Sequence, residues 1–172
     1  MVKKTKLLGK IISCISGIAL ALTCVGSDIY SEEYGVDISR YQGDIDWDKF
    51  SESGMSFAIL RTGTTKYGED SRFEEYYAGT RKIGIKTGAY LYISALTLEE
   101  FRSAAYTFID YLDDKEWEMP VYIDLEDEEQ TTIGRHRLTT YAIACMNIIR
   151  EAGYTTGLYT NQNWLTNFID GD

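Results

Sequence analysis

The clearest indication of the fold is the segment Pro120-Val121-Tyr122-Ile123-Asp124-Leu125-Glu126-Asp127. Apolar and polar side chains alternate along it, which is typical of a β-strand, because successive strand side chains point to opposite faces. One face is expected to pack under helices and carries Val121, Ile123 and Leu125. The other face carries Tyr122, Asp124 and Glu126. Two carboxylic acids placed inward on an apolar strand are costly to bury unless they are paired or perform chemistry.

Strand and helix patterns alternate on both sides of this stretch. With the central strand at 119–125, strands are expected at 34–39, 56–61, 86–94 and 155–160. Amphipathic helices are expected at 45–53, 70–82, 98–112, 135–152 and 163–169, and Thr97 with Glu100 forms a capping box before the third. Apolar strands separated by such helices predict a parallel sheet, either doubly wound or a (β/α) barrel. The first strand is not followed by Gly-x-Gly-x-x-Gly, which counts against nucleotide binding.

A third acid belongs to the same end of the predicted sheet. Asp37 stands late in the first strand, and the carboxyl ends of parallel strands meet at one edge. Neighbouring carboxyl groups raise one another's pKa, which is a usual route to a general acid near neutral pH. The alternative is that 124–129 is a solvated acidic loop, but the apolar setting of Asp37 favours a catalytic site.

Five segments carry a family resemblance: GVDISRYQG at 35–43, FAILRTG at 57–63, GIKTGAYLY at 84–92, MPVYIDLE at 119–126 and GLYTN at 157–161. Each is weak alone. In this order and spacing they resemble the strand motifs of the glycoside hydrolase family 25 lysozymes over nearly the whole chain. The resemblance implies a (β/α) barrel-type glycosidase that cleaves the β-1,4 bond between N-acetylmuramic acid and N-acetylglucosamine in peptidoglycan, without metal or cofactor.

The resemblance also implies roles for individual residues. Glu126 matches the general acid/base, and Asp124 matches a partner that either attacks C1 or steers the substrate's 2-acetamido group. Asp37 matches a third acid at the floor of the groove. By strand parity Tyr90, Tyr92 and Tyr159 face the groove, where each is expected either to contact the sugar or to pack. Tyr122 and Arg61 are further candidate substrate contacts. The bound partner would be peptidoglycan glycan strands.

The family pattern continues beyond the fifth strand with further strands and another acid. We therefore expect 34–172 to be a catalytic domain that lacks its C-terminal strands, an incomplete barrel of about five βα units. Two alternatives stay open. One is an inactive remnant that still binds peptidoglycan. The other is a chitinase-like glycosidase, although Pro120 and Tyr122 occupy the places of its upstream aspartates.

Residues 1–27 combine four lysines with an apolar run, which predicts a secretory signal peptide or an N-terminal anchor. Removing the four lysines from a chain of net charge −10 leaves −14, which disfavours nucleic acid. We expect a secreted or cell-wall-associated monomer with no protein partner implied. Cys145 would then be the remaining cysteine, buried on a helix, and His136 a surface residue, which argues against a zinc site.

Overall fold

The computed structural model describes residues 33–171, so the expected signal segment at 1–27 lies outside the described residues. Five parallel strands form a sheet in the order β1-β2-β4-β5-β6, and β3 pairs antiparallel with β2. The strands are β1 (Gly35–Ile38), β2 (Phe57–Thr64), β3 (Gly68–Glu69), β4 (Lys86–Tyr92), β5 (Val121–Asp124) and β6 (Thr156–Tyr159).

Helices connect the parallel strands. They are α1 (Trp47–Ser51), α2 (Phe73–Ile83), α3 (Leu98–Leu112), α4 (Arg135–Glu151) and α5 (Gln162–Asn167), with 3-10 helices at Arg40–Gln42 and Glu128–Ile133. The predicted capping box of α3 is confirmed, because the Thr97 side chain accepts from the Glu100 N–H while the Glu100 carboxylate accepts from the Thr97 N–H. None of the helices within 33–171 is long and apolar enough to cross a membrane.

The sheet does not close on itself. Among the described strands, β1 pairs with β2 and β6 pairs with β5, so these two strands form the edges of the sheet. The expected parallel α/β architecture of five successive strand–helix units is therefore confirmed, in the form of an incomplete barrel.

Helices cover the outer face of the sheet. Apolar side chains of three neighbouring strands are at most 1% exposed on this face: Ala58, Leu60, Ala89, Leu91, Val121 and Ile123. They pack against buried residues of α3 and α4 such as Phe108 and Ile149, and on the β1–β2 side against Phe73 and Tyr76 of α2. The predicted helix-facing side of the central strand is thus confirmed.

The expected positions of Cys145 in the core and of His136 on the surface are confirmed. Cys145 is buried in α4, and burial raises the pKa of its thiol to about 12. The His136 side chain is 91% exposed at the start of α4.

Most boundaries differ by one to three residues from the sequence-based prediction, and three of the differences bear on the site. Strand β2 runs to Thr64 rather than Arg61, because its end pairs with the unpredicted β3. Helix α2 begins at Phe73 rather than Asp70. Asp70 was predicted to be helical, but it is held outside the helix by long-range hydrogen bonds. Strand β5 ends at Asp124, so Glu126 stands in the loop that follows.

Candidate active site

The inner face of the sheet carries the polar residues. Strand register places Arg61, Tyr90, Tyr122 and Gly157 in one row across four strands. The next row toward the carboxyl ends contains Tyr92, Asp124 and Tyr159. The site is therefore built from alternate residues of strands whose other residues form the core.

Asp124 is the most deeply buried acid of the site. Its side chain lies at the end of β5 with the residue 5% exposed, and its Oδ1 has no hydrogen-bond partner among the described residues. Burial raises the pKa of this carboxyl well above 3.8, and the charges of Glu126 and Asp37 add to the rise, while Arg61 opposes it. A carboxyl in this position favours its protonated form.

Glu126 is half-buried two residues further along the chain. Burial raises the pKa of its carboxyl, hydrogen bonding by Asn161 opposes this rise, and the charge of Asp37 adds to it. The side chain of Asn161 caps α5, with its Oδ1 accepting from the Trp164 N–H at 3.0 Å. The amide group of Asn161 is thereby oriented beside Glu126.

Hydrogen bonds on both sides hold the backbone around Glu126. The Leu125 N–H donates to the Tyr159 carbonyl at 3.1 Å, and the Thr160 hydroxyl donates to the Leu125 carbonyl at 2.7 Å. Further on, the fully buried Gln130 donates from Nε2 to the Ile93 carbonyl at 2.8 Å. These contacts fix the loop that carries Glu126 against the ends of β4 and β6.

Asp37 supplies the third carboxyl from the edge strand β1. It is exposed near the end of β1, and its charge acts on both Asp124 and Glu126. The structure thus brings together the three acids named from the sequence. Burial raises the pKa of both Asp124 and Glu126, and the charge of Glu126 adds to the rise at Asp124, so the pair can hold a proton that is available for transfer.

Aromatic residues line the site, to different extents. Tyr90 is 8% exposed and stacks on Tyr159 with 5.9 Å between ring centroids. Its surface is largely used in packing. Tyr92, Tyr122 and Tyr159 are half-buried and keep surface for contact with a ligand. Burial, followed by the charge of Asp127, raises the pKa of Tyr92 to about 12. Tyr122 lies close to Gly157, where a Cβ would stand 3.1 Å from its ring.

Arg61 is held by Asp70, for which the sequence predicts a helical position. Its Nε and Nη2 lie 2.7 and 2.6 Å from Oδ2 of Asp70, which is 4% exposed. Asp70 also accepts from the backbone N–H groups of Arg40 at 3.1 Å and Arg72 at 3.0 Å. No local pattern in the sequence indicates this pairing, because its partners come from three segments.

No group of three or more His, Cys, Asp or Glu side chains within 33–171 is arranged to hold a metal ion. The chemistry that the three carboxyls of the site can supply is proton transfer and charge stabilisation.

A parallel α/β sheet with paired carboxyls and aromatic side chains at its carboxyl end is the arrangement of a (β/α)-type glycosidase. The model of the family "Glycosyl hydrolases family 25" matches residues 36–172, and the chain belongs to this family. The family assigned from the five motifs is thus confirmed.

Two curated relatives share part of the sequence. Lysozyme M1 of Streptomyces globisporus is 42% identical over 57 residues, which is 33% of this chain. The autolytic lysozyme of Clostridium acetobutylicum is 31% identical over 61 residues, which is 36% of this chain. Each alignment spans 19% of the relative's own length.

Solved structures share the fold. A family 25 glycosyl hydrolase from Bacillus anthracis superposes with a TM-score of 0.70 at 23% identity, covering 86% of this chain and 72% of that chain. The modular autolysin LytC from Streptococcus pneumoniae, solved with a synthetic peptidoglycan ligand, gives a TM-score of 0.71 at 23% identity, covering 77% of this chain and 33% of that chain.

Proposed function

We propose that this chain is a muramidase that hydrolyses the β-1,4 bond between N-acetylmuramic acid and N-acetylglucosamine in peptidoglycan. The observation that carries the proposal is the Asp124–Glu126 pair at the carboxyl end of β5, with raised pKa values and with Asp37 beside it. Family membership supports it, and two curated relatives are lysozymes. The LytC structure with its peptidoglycan ligand supports a glycan as the substrate.

Glu126 is the proposed general acid/base. It is more accessible than Asp124, and the rise of its pKa through burial keeps a proton available for the leaving glycosidic oxygen. The neighbouring Asn161 orients the carboxyl and limits the rise, which keeps its ionised form accessible for the second step. In that step Glu126 takes a proton from the attacking water.

Asp124 is proposed to steer the 2-acetamido group, and Asp37 is proposed to stabilise the positive charge that develops at C1. Asp124 is too deeply buried to reach C1 easily, which favours steering of the 2-acetamido group over direct attack. Its unpartnered Oδ1 is an acceptor suited to the acetamido N–H once the carboxyl is ionised. Asp37 is exposed and would hold water or face the oxocarbenium-like charge. The proposed sugar contacts are Tyr92, Tyr122, Tyr159 and Arg61. The ring of Tyr90 stacks on that of Tyr159 and holds it in position.

A fluorinated glycoside that traps covalent intermediates distinguishes the two alternative roles of Asp124, direct attack on C1 and steering of the 2-acetamido group. We expect no mass increase on the protein with this reagent, because the acetamido oxygen rather than Asp124 attacks C1. A stable adduct on Asp124 would instead establish direct attack.

The proposed place of action is the cell wall, with 1–27 acting as the export signal of a monomeric enzyme. This part of the proposal rests on the lysine-rich start and apolar run of that segment. Mass spectrometry of the protein recovered from culture medium tests it. A mature N-terminus close to residue 28 is expected, whereas retention of the intact chain in cells would contradict export.

The test of the activity is fragment release from purified peptidoglycan by the chain and by its Glu126→Gln variant. This substitution preserves shape but removes the proton donor, so release should fall by roughly 10²–10⁴-fold. The fragments should carry muramic acid at their reducing ends. If the folded chain binds peptidoglycan but releases nothing, it is a binding protein. If the products carry glucosamine at the reducing end, the cleaved bond is a different one.

A further inference from the structure

An exposed arginine–tyrosine pair stands beside the acids, in the turn that follows β1. We call Arg40 and Tyr41 the Arg40–Tyr41 ledge. Tyr41 is 74% exposed, which is unusual for so large a ring on a protein with this much buried aromatic surface. None of the roles described above uses either residue.

The turn that carries the ledge is rigidly held. The Ser39 N–H donates to Oε1 of Gln42 at 2.7 Å, and the Tyr76 hydroxyl donates to the Gly43 carbonyl at 2.6 Å. The Arg40 N–H donates to the buried carboxylate of Asp70 at 3.1 Å. Gly43 closes the turn with a φ of 67°, a conformation that favours glycine. A fixed position of the exposed pair reduces the entropy lost when a ligand binds.

Two guanidinium groups flank the Tyr41 ring. The Cζ atom of Arg61 lies 4.8 Å from the ring centroid, and that of Arg40 lies 5.3 Å from it. Asp70 holds Arg61 from behind, so the ring rests on a side chain that is itself anchored in the protein. The pKa of Tyr41 is lowered by its hydrogen bond with Arg40 and by the charges of both arginines.

The two arginines differ in what they can offer a ligand. The Arg61 side chain is 10% exposed and its charge is paired with Asp70, so it can contact a neutral sugar but is a poor partner for a carboxylate. Arg40 is exposed on the surface, with its Nη2 3.5 Å from the Tyr41 hydroxyl. The ledge therefore presents an accessible cation and an open aromatic ring together, on a chain of net charge −10.

The ledge lies next to the reacting groups. Tyr41 is four residues beyond Asp37, and Arg61, on which it rests, is close enough to Asp124 to lower the pKa of that carboxyl. A glycan lying across the acids would thus reach the ledge with a neighbouring sugar.

We propose that the Arg40–Tyr41 ledge is a subsite for a carboxylate-bearing sugar, in which the ring of Tyr41 packs on the sugar and Arg40 pairs with the carboxylate. This inference rests on the proposed muramidase function and names the group on the sugar that the ledge would recognise. N-acetylmuramic acid carries a free lactyl carboxylate where its stem peptide has been removed, whereas the peptide-linked sugar carries an amide there and N-acetylglucosamine has neither group. The ledge would therefore favour peptide-free muramic acid over both the peptide-linked sugar and chitin.

The experiment measures binding of two tetrasaccharides to the full chain carrying Glu126→Gln, so that neither is cleaved. One probe is the peptide-free alternating muramyl tetrasaccharide, and the other is the uncharged tetramer of N-acetylglucosamine. Adding Arg40→Gln should weaken binding of the muramyl probe about fivefold and leave the uncharged probe within twofold. Adding Tyr41→Ala should weaken both about tenfold. Arg40→Lys should keep most of the preference.

Arg137→Gln and Tyr106→Ala are matched controls on exposed positions of α4 and α3, and neither should alter binding. Equal affinities of the Arg40→Gln and parent proteins for the muramyl probe would overturn the proposal that the ledge is a carboxylate subsite. The muramidase proposal would be unaffected by this result. Binding of neither probe, together with no fragment release by the unmodified chain, would overturn both.

Discussion

Glu118 and Asp124 stand near opposite ends of β5, and their environments have opposite effects. Glu118 precedes the strand and accepts from Nη1 and Nη2 of Arg81 at 2.9 and 2.6 Å, and from the Thr87 N–H at 3.0 Å. The Arg81 guanidinium lowers the pKa of Glu118 to about 2. Asp124 ends the strand with an unpartnered oxygen, and burial raises the pKa of its carboxyl.

This difference indicates that the acid before β5 contributes to stability, whereas the acid at the end of β5 contributes to the chemistry. A carboxylate with three good donors is stabilised as an anion and ties β4 and α2 to the start of β5. A carboxyl without partners costs folding free energy and is retained only where a ligand or a reaction uses it. In parallel α/β folds, the amino ends of the strands commonly carry structural residues and the carboxyl ends carry catalytic ones.

The largest expected effect is on Ile123, which lies between the two acids and faces the helices. Ile123→Ala should lower the free energy of unfolding by ~2–5 kcal/mol, because it leaves a cavity in the fully buried core between β5 and the helices. Urea unfolding measures this change. Ile143→Ala on the exposed side of α4 is the control and should stay within ~0.5 kcal/mol. A small effect at Ile123 would mean that the outer face of β5 is not the stabilising face.

The next effect is on Glu118. Glu118→Gln should lower the free energy of unfolding by about 1 kcal/mol at pH 7, a modest figure because the pair is partly exposed to solvent. A lowered pKa contributes stability above the ordinary value of 4.5, and this contribution is lost as the pH falls toward about 2. The two proteins should therefore converge in acid, as followed by thermal unfolding from pH 7 to pH 2. The exposed neighbour Glu116 supplies the control variant Glu116→Gln. A difference in stability between the parent and Glu118→Gln that persists at pH 2 would exclude the ion pair as its cause.

The smallest effect is on Tyr92, at the carboxyl end of β4. Tyr92→Phe should change the free energy of unfolding by less than ~0.5 kcal/mol, because the ring stays in place. It should raise KM for soluble glycan about threefold through loss of one hydroxyl contact, with kcat little changed. Steady-state kinetics give both values. A fall in kcat alone would place Tyr92 in the chemical step.

Much of this division between stabilising and catalytic residues is predictable from the sequence. Alternation along 121–126 predicts which side chains of β5 are buried, because strand geometry is local. The capping box of α3 is local as well, and Thr97 and Glu100 are three residues apart. The family resemblance then names Asp37, Asp124 and Glu126, which the structure brings together.

The remainder depends on contacts between distant segments. The two-residue β3 is too short to show a period and exists because it pairs with the end of β2. Asp70 resembles a helix start locally, but Arg40, thirty residues away, and Arg61 hold its carboxylate elsewhere. The ring of Tyr41 lies over Arg61, which the same pairing holds in place, and no local pattern in the sequence indicates the ledge.

The most direct test of this division between stabilising and catalytic residues is Asp124→Asn, measured for stability and activity in the same protein. A raised pKa means that the folded state holds its proton more tightly, so stability is highest below 3.8 and falls as the pH rises through the folded-state pKa. Removing the titrating group removes this fall. The exposed Asp110 on α3 supplies the control Asp110→Asn.

We expect Asp124→Asn to unfold at a higher temperature than the parent at pH 7, by the equivalent of ~1–3 kcal/mol, with the gap closing toward pH 3.8. Hydrolysis of peptidoglycan should fall by about 10²-fold or more in the same variant. A variant that is less stable than the parent at pH 7 and still fully active would contradict the account, because Asp124 would then be a structural residue.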